Sequence, residues 1–435
     1  MKVALLDIKS RRKECVNKDF MGGFGWAFNA GSSFPLKLIN LIKKRGEKLP
    51  LLSFGYLAAI FAKNGHSVSC MTNTVPKADI VIISSSMVDY DYEIEWARRI
   101  KRTGCKVGFI GPFSGFLPEQ FLNSCDFVIR GEPEQAAMNI SSGSEPRGII
   151  ESRPIEDLNS LPFPRWDNFP VREYSYLPVL KEKPFLPILA SRGCVYECNY
   201  CPYVVAYKYR SRSAENVFSE IIYLQERFKV KGLLFRDPLF GANRGFVFKL
   251  CELILKNNVK LRWACETRLN CLNKQLLEVM YKAGLRVLNT GIESADPDVV
   301  KKASRIPVDI KHQEEMIRYC DTLGIRVTAF YILGLPDDTY ESIMNTLKYS
   351  QHLDTNVAQF FIHPPVPGTR YSEEVKDQII EKDWRKFDCY TPVLRHKNLT
   401  TKQLLKLKEK AFSSYYFRLG YFKKFISRAC RDMVG

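Results

Sequence analysis

Short apolar runs alternate with amphipathic ones along this chain, twice over, and that alternation restricts it to α/β architectures. In the first third, strand patterns fall at residues 3–8, 67–71, 80–86, 106–111 and 127–131, with helical patterns at 51–64, 92–103 and 118–124. This predicts a doubly wound parallel sheet over residues 1–150. Ligands of such sheets bind beyond the carboxyl ends of the strands. The sequence puts Ser84, Ser85 and Ser86, then Gly111 before Pro112, then Gly131 with Glu132 at three of those ends. Small residues there let a ligand approach backbone closely, although tight turns would use the same residues.

The passage RPIEDLNSLPFPRWDNFP (153–170) has repeated prolines and little periodicity, so residues 151–184 read as an extended linker. The alternation then resumes. Strand patterns at 186–190, 232–236, 261–267, 287–292, 327–332 and 358–362 enclose helical patterns such as 214–228, 244–257 and 339–352. Six βα units predict a (β/α)6 partial barrel of the TIM type over residues 185–370, with its site at the carboxyl ends of the strands. Residues 371–435 read as a small helical, basic region.

Composition sets the outer bounds. The chain has 435 residues, 46% hydrophobic and 26% charged, which suits two or three globular domains. Its longest apolar stretch, LLSFGYLAAIFA from Leu51, is too short to span a bilayer, and Met1 runs into a strand pattern rather than a leader, so a cytoplasmic protein is expected. The net charge of +18 is spread over helix faces along the whole length. A solvated basic surface or an anionic substrate accounts for it at least as well as nucleic acid does. The end of the chain is a local exception: residues 411–431 hold no acid, and Arg418, Lys423, Lys424, Arg428 and Arg431 alternate with Phe412, Tyr415, Tyr416, Phe417, Tyr421, Phe422 and Phe425. This pattern fits a helix packing its aromatic face on the body, or a surface for anionic lipid or another acidic partner.

Thirteen cysteines without an export signal argue against a disulfide framework. Ten are scattered and read as small buried hydrophobes. The other three, Cys194, Cys198 and Cys201, lie together in SRGCVYECNYCPY (191–203), just after the first barrel strand. A structural zinc site wants four closed ligands, usually as paired C-x2-C units, and Cys265 and Cys271 have the wrong spacing for a second pair. Cubane iron–sulfur clusters also take four cysteines as a rule. Three leave one iron open, the mark of a reactive site rather than a structural one.

CVYECNYC resembles the C-x3-C-x2-C loop of the radical S-adenosylmethionine (SAM) enzymes, down to an aromatic residue, Tyr200, before the last cysteine. The resemblance implies a [4Fe-4S] cluster on Cys194, Cys198 and Cys201, whose open iron chelates the amino and carboxylate groups of SAM. One electron then cleaves SAM to methionine and a 5′-deoxyadenosyl radical. Other strand ends match in order. LRWACETR (261–268) puts Glu266 and Arg268 on one face, with Arg268 suited to a carboxylate. GIES (291–294) supplies Glu293 and Ser294, FRDPLF (235–240) supplies Asp237, and YILGLPDD (331–338) resembles the segment beside the adenine. Tyr200, Asp237, Glu266, Arg268, Glu293 and Ser294 are thus the SAM contacts the resemblance implies.

A doubly wound domain ahead of such a barrel is similar to the cobalamin-binding subfamily. RGEPE (130–134), NKDFMGGFGWAF (17–28) and FSSYYFRLGYFKKF (412–425) extend the likeness over nearly the whole chain. Cobalamin is then expected at Ser84, Ser85, Ser86, Gly111, Gly131 and Glu132. One departure stands out: the D-x-H-x-x-G motif that ligates cobalt from below is absent, and His66 reads as the start of a strand. The subfamily commonly lacks that ligand. The implied activity is methylation of an unactivated carbon in a small molecule, lipid or other metabolite through methylcobalamin and the radical. Oxidation, cyclisation or rearrangement without methyl transfer uses the same motifs. A tRNA methylthiotransferase would carry a second cysteine trio in its first domain, which Cys15, Cys70, Cys105 and Cys125 do not form. The chemistry also needs an electron donor such as flavodoxin or ferredoxin. No side chain stands out as an acid or base.

Overall fold

The computed structural model describes residues 1–206 and 208–424. Two six-stranded parallel sheets organise them. The first contains β1 (Lys2–Asp7), β2 (Ser67–Thr72), β3 (Ile80–Ser84), β4 (Lys106–Ile110), β5 (Phe127–Gly131) and β6 (Gly148–Ser152), in the order β2-β1-β3-β4-β5-β6. Every pairing is parallel. Buried on both faces, β3 reads IVIIS without alternation, as a parallel strand under two helical layers must. The order reverses between β1 and β3, which opens a crevice at the strand ends. Helices α2 (Leu52–Lys63) and α3 (Tyr90–Lys101) flank the sheet.

The second sheet runs β7 (Phe185–Ile188), β8 (Gly232–Phe235), β9 (Arg262–Thr267), β10 (Leu285–Glu293), β11 (Arg326–Ile332) and β12 (Val357–Phe361), in sequence order and all parallel. β7 and β12 remain edges, so the barrel is open, as six units predict. Several returning helices start on a side-chain cap: Ser213, Asn243, Asn273, Asp309 and Thr339 each accept a backbone N–H of the first turn. Such caps end each strand-to-helix loop at a fixed residue and leave the strand ends free for function.

Three segments differ from the sequence reading. Residues 15–28 form an antiparallel ribbon, Cys15–Asn17 with Trp26–Phe28, whose connection carries left-handed backbone at Met21, Gly22, Gly23 and Gly25. A helix, α1 (Phe34–Gly46), follows it. The proline-rich passage is extended but not free. Ile155, Leu158, Leu161 and Trp166 are buried in the barrel's core cluster, and Ser175–Tyr176 pairs with Glu47–Lys48. Prolines set its backbone, and its large apolar side chains fix it in place.

At the other end, α4 (Thr401–Tyr416) lies against β12, with the Phe360 and Phe412 rings 5.3 Å apart and Tyr416 Oη donating to Ala358 O at 2.8 Å. Phe412 and Tyr415 of the C-terminal stretch are therefore core, Phe417 and Phe422 stay exposed, and Lys424 Nζ pairs with Asp354 at 2.9 Å. Phe425, Arg428 and Arg431 lie outside the described residues. No helix among the described residues is long and apolar enough to cross a membrane.

Candidate active site

The ends of the two sheets face each other, and the cysteine loop leaves β7 toward that space. The loop is anchored on both sides. Ser191–Arg192 pairs with Arg210–Ser211, and Gly193 turns the chain at φ +75°. Cys198 is buried against Tyr200, Ile332, Leu335 and Tyr371. Burial pushes the Cys201 thiol up to about 12, and the neighbouring Cys198 and Cys194 add to that push, so the three sulfurs feel one another. Burial likewise raises Cys194. Among the described residues no three His, Cys, Asp or Glu side chains converge as a one-ion site. The donor set, three cysteine sulfurs within eight residues with the Arg305 guanidinium 4.0 Å from Cys198 Sγ, fits a metal cluster bound through thiolates.

Beside this loop Arg268 is 6% exposed, and its Nε and Nη1 have no partner among the described residues. Its Nη2 donates to Ile306 O, and the guanidinium stacks 4.1 Å from the Tyr196 ring centroid. Burial, then repulsion from Arg305, lower its pKa. Two unused donors on a buried cation mark a place for a carboxylate, such as that of SAM. A bulge between Gly291 and Glu293 ends β10, with Glu293 at φ +66°. It aims the Glu293 carboxylate 3.3 Å from Arg305 Nη2, which also donates to Gly291 O at 2.6 Å. A Cβ on Gly291 would meet the Glu293 carboxylate and that nitrogen, so a side chain here would displace the pair. Arg305 lies in a loop without period, and nothing in the sequence pointed to it.

The remaining SAM expectations are placed less directly. The Tyr200 ring is buried 5.2 Å from the His363 ring, and its carbonyl accepts from His363 Nε2 at 3.0 Å. The Ser294 hydroxyl is occupied within the chain, accepting from Asp296 N and contacting Thr346 Oγ1 at 3.2 Å. Glu266 does not face a ligand alone. Arg236 Nη1 reaches it at 3.1 Å while Arg236 Nε holds Asp19 at 3.0 Å. Asp237 accepts from Ser191 Oγ at 2.6 Å and Ala190 N at 3.1 Å, which ties β8 to the start of the cysteine loop. Asp237 is thus a positioning residue.

Burial raises Asp237 from the ordinary aspartate value of 3.8 to about 6. The folded protein therefore holds a proton there that the unfolded chain gives up, so stability falls as pH rises from about 4 to 6. In Asp237→Asn this contribution is absent. The gap in thermal midpoint between the variant and the wild type is expected to change by several degrees across that window, at ~2–4 °C per kcal/mol, and to be flat above it. A constant gap from pH 4 to 7 would refute the assignment.

Between the sheets lies a cavity of about 500 Å³. The first sheet contributes Ser84, Gly111 and Gly131, and the barrel side contributes Ser191, Arg192, Gly193, Tyr203 and Arg236. Ser85, Ser86 and Glu132 do not line it, and their polar atoms are engaged within the chain. Ser85 Oγ donates to Ile110 O and accepts from Ser114 N, which holds β3 to β4. Ser86 gives both its N–H and its hydroxyl to Glu93, a fully buried carboxylate. Glu132 is bound by Arg192 at 2.7 Å and by Arg210, and Glu134 takes the other arm of Arg192 at 2.5 Å. Ser85 and Ser86 are thus engaged within the first domain, and Glu132 joins it to the barrel.

The ribbon of residues 15–28 was quoted in the sequence only as a resemblance, and the structure shows what it does. Lys18 reaches Glu93 at 2.7 Å on the first sheet, Asp19 holds Arg236 on the barrel, and Phe24 O accepts Met87 N at 2.7 Å. Gly23 lies so close to Pro112 that a Cβ would sit 3.0 Å from its ring. Gly22, Gly23, Gly111 and Gly131 make a wall of bare backbone along one side of the cavity, which fits a broad planar group such as a corrin.

Residues 188–350 match the Radical SAM superfamily. An uncharacterised methyltransferase of Pyrococcus horikoshii is 28% identical over 333 residues, 71% of this chain and 72% of that protein. The bacteriochlorophyllide d C-12(1)-methyltransferase of Chlorobaculum tepidum is 26% identical over 340 residues, 75% and 72% of the two chains. Among solved structures, the radical SAM methyltransferase TsrM of Kitasatospora setae, with cobalamin and a [4Fe-4S] cluster bound, superposes at a TM-score of 0.65 with 14% identity, covering 94% of this chain and 85% of its own. That last likeness concerns the fold. Together with the cysteine loop at the end of β7, the family match identifies residues 188–350 as a radical SAM domain, and a doubly wound sheet stands ahead of its barrel.

Proposed function

We propose that this protein is a cobalamin-dependent radical SAM methyltransferase acting on an unactivated carbon of a small-molecule or lipid substrate. The observation that carries this reading is the cavity at which the ends of both sheets meet, bare glycine backbone on one side and the root of the cysteine loop on the other. When bound, the cluster and SAM supply the radical, and cobalamin carries the methyl group. In this reading roughly the first 150 residues hold cobalamin and residues 185–370 hold cluster and SAM. Residues 151–184 join them, and α4 covers the barrel.

The chain's own groups then have defined tasks. Cys194, Cys198 and Cys201 hold the cluster, with Arg305 offsetting its charge beside Cys198. Arg268 takes the carboxylate of SAM with its Nε and Nη1 nitrogens. Arg236 holds Asp19 at the cavity wall and Glu266 behind it, one cation between two acids whose pKa values burial raises, so both carboxyls are fixed within the chain. Phe24, Leu51, Leu52 and Tyr56 exclude water from the same space. A low-potential donor such as flavodoxin or ferredoxin, in a reducing compartment such as the cytoplasm, would supply the electron.

The test is cobalt, iron and sulfide analysis of protein isolated without oxygen after expression with cobalamin, followed by product analysis with SAM and reductant. Near-stoichiometric cobalt beside iron and sulfide, with methylated product, supports the proposal. Iron and sulfide without cobalt would remove cobalamin from it, and 5′-deoxyadenosine without methylated product would favour an oxidation or rearrangement. A sharper prediction concerns Arg268→Met. Charge-assisted hydrogen bonds contribute ~1.5–3 kcal/mol, so KM for SAM is expected to rise about 10- to 150-fold with iron content unchanged. An unchanged KM would take Arg268 out of the SAM site.

A further inference from the structure

Helix α1 was not read from the sequence, and its surface is unusual. Phe34 is 85% exposed, Leu38 51%, Ile42 51% and Leu41 42%. At 3.6 residues per turn these four side chains fall within an arc of roughly 100°. Leu36, with Ile39 and Lys43 half buried, faces the body instead. The helix thus has two apolar faces, and the protein covers only one.

We propose that the outer face of α1 is a docking surface for an anionic membrane, holding the protein at a lipid surface without spanning it. Charge complementarity selects this occupant. The helix FPLKLINLIKKRG contains no acidic residue, and exposed Lys37 and Lys44 lie along one edge of the apolar arc with Arg45 at its end. The first turn of α1 is joined to α4 by Glu409, which accepts from Ser32 N at 2.8 Å and so has its charge engaged. Exposed Lys402 and Lys406 share the stripe of α4 on which Glu409 lies. Apolar side chains in an interfacial helix enter the headgroup boundary while flanking lysines and arginines meet anionic lipid. An exposed contiguous stripe of this size on a chain of net charge +18 has the same reading. It rests on α1 rather than on the C-terminal stretch, where Phe412 and Tyr415 are core while Phe417 and Phe422 are exposed, and it does not depend on methyl transfer.

The experiment is co-sedimentation of the full-length holoprotein with phosphatidylcholine vesicles, with and without 30% phosphatidylglycerol, at low and high salt. Wild type is expected to bind the anionic vesicles at least tenfold better than the neutral ones, and to release as salt rises. Leu38→Glu/Ile42→Glu, on exposed positions, is expected to lose at least tenfold in binding with unchanged iron content and circular dichroism. Lys37→Gln/Lys44→Gln should weaken binding to anionic vesicles only, and this second variant keeps the test sound if the first is perturbed. Failure of wild type to bind, or equal binding by Leu38→Glu/Ile42→Glu, overturns the proposal. So does a concentration-dependent dimer in light scattering that this variant abolishes, which would make the face an interface between copies. Binding that appears only after removal of residues 425–435 would put the chain's own end on the stripe and also overturn it.

Discussion

Cys198→Ala is expected to fold and to lose its iron, with 5′-deoxyadenosine formation at background. The side chain is 7% exposed among Tyr200, Ile332, Leu335 and Tyr371, so removing one sulfur costs about 1 kcal/mol of packing, far less than a domain's stability. The chemical loss is much larger. Two remaining thiols cannot hold a cluster whose fourth position must stay open for SAM, and Arg305 at 4.0 Å would lose the negative charge it faces. Cys320→Ala is the matched control, since Cys320 is also buried but lies on a barrel helix between β10 and β11. It should keep iron, sulfide and turnover. The measurement is iron and labile sulfide per chain together with 5′-deoxyadenosine by chromatography. Full iron and full turnover in Cys198→Ala would show that the trio is not the ligand set.

How much of this was legible beforehand follows the range of the interactions. Strands such as β3, with four apolar residues in a row, announce themselves because a doubly covered parallel strand is apolar on both faces. The cysteine loop announces itself because its three donors lie within eight residues. What escaped notice joins distant positions. Arg236 and Asp19 are 217 residues apart, and Arg192 and Glu134 are 58 apart, so no window of sequence contains both partners. Ser85, Ser86 and Glu132 stood at the right strand ends but were bound by Ile110, Glu93, Arg192 and Arg210. A strand end shows where a ligand can approach, not which polar groups are still free. The ribbon of residues 15–28 has glycines and aromatics without period, and its role depends on touching both sheets at once. α1 escaped because its leucines and isoleucine look like a core-facing stripe, and only the structure shows that they face outward.

Those distant ion pairs lead to the second large effect. Arg192→Met is expected to destabilise the protein by about 3–5 kcal/mol, because it strands carboxylates in an almost dry junction. Glu134 is 1% exposed and takes Arg192 Nη2 at 2.5 Å, while Glu132, 2% exposed, keeps Arg210 as a second partner. Most of the cost should therefore come from Glu134, and Arg192→Met/Glu134→Gln should recover much of it, with a coupling energy that distant residues would not show. Arg192→Lys should recover less, since one ammonium cannot grip two carboxylates as a guanidinium fork does. The pH dependence has a definite sign. Burial alone would raise Glu132, but bonds from Arg210 and the charges of Arg192 and Arg210 hold it below the ordinary glutamate value. That stabilisation is present above the unfolded pKa and is lost as pH falls through the folded one. The difference between wild type and Arg192→Met should accordingly narrow in acid, below the ordinary glutamate range. Arg192 also lies two residues before Cys194, so the variant should lose iron along with stability, which links the junction of the sheets to the cluster it positions. Urea unfolding with iron content measured along the transition checks both, and a wild-type midpoint in the variant would show that the junction is held by packing rather than by these charges.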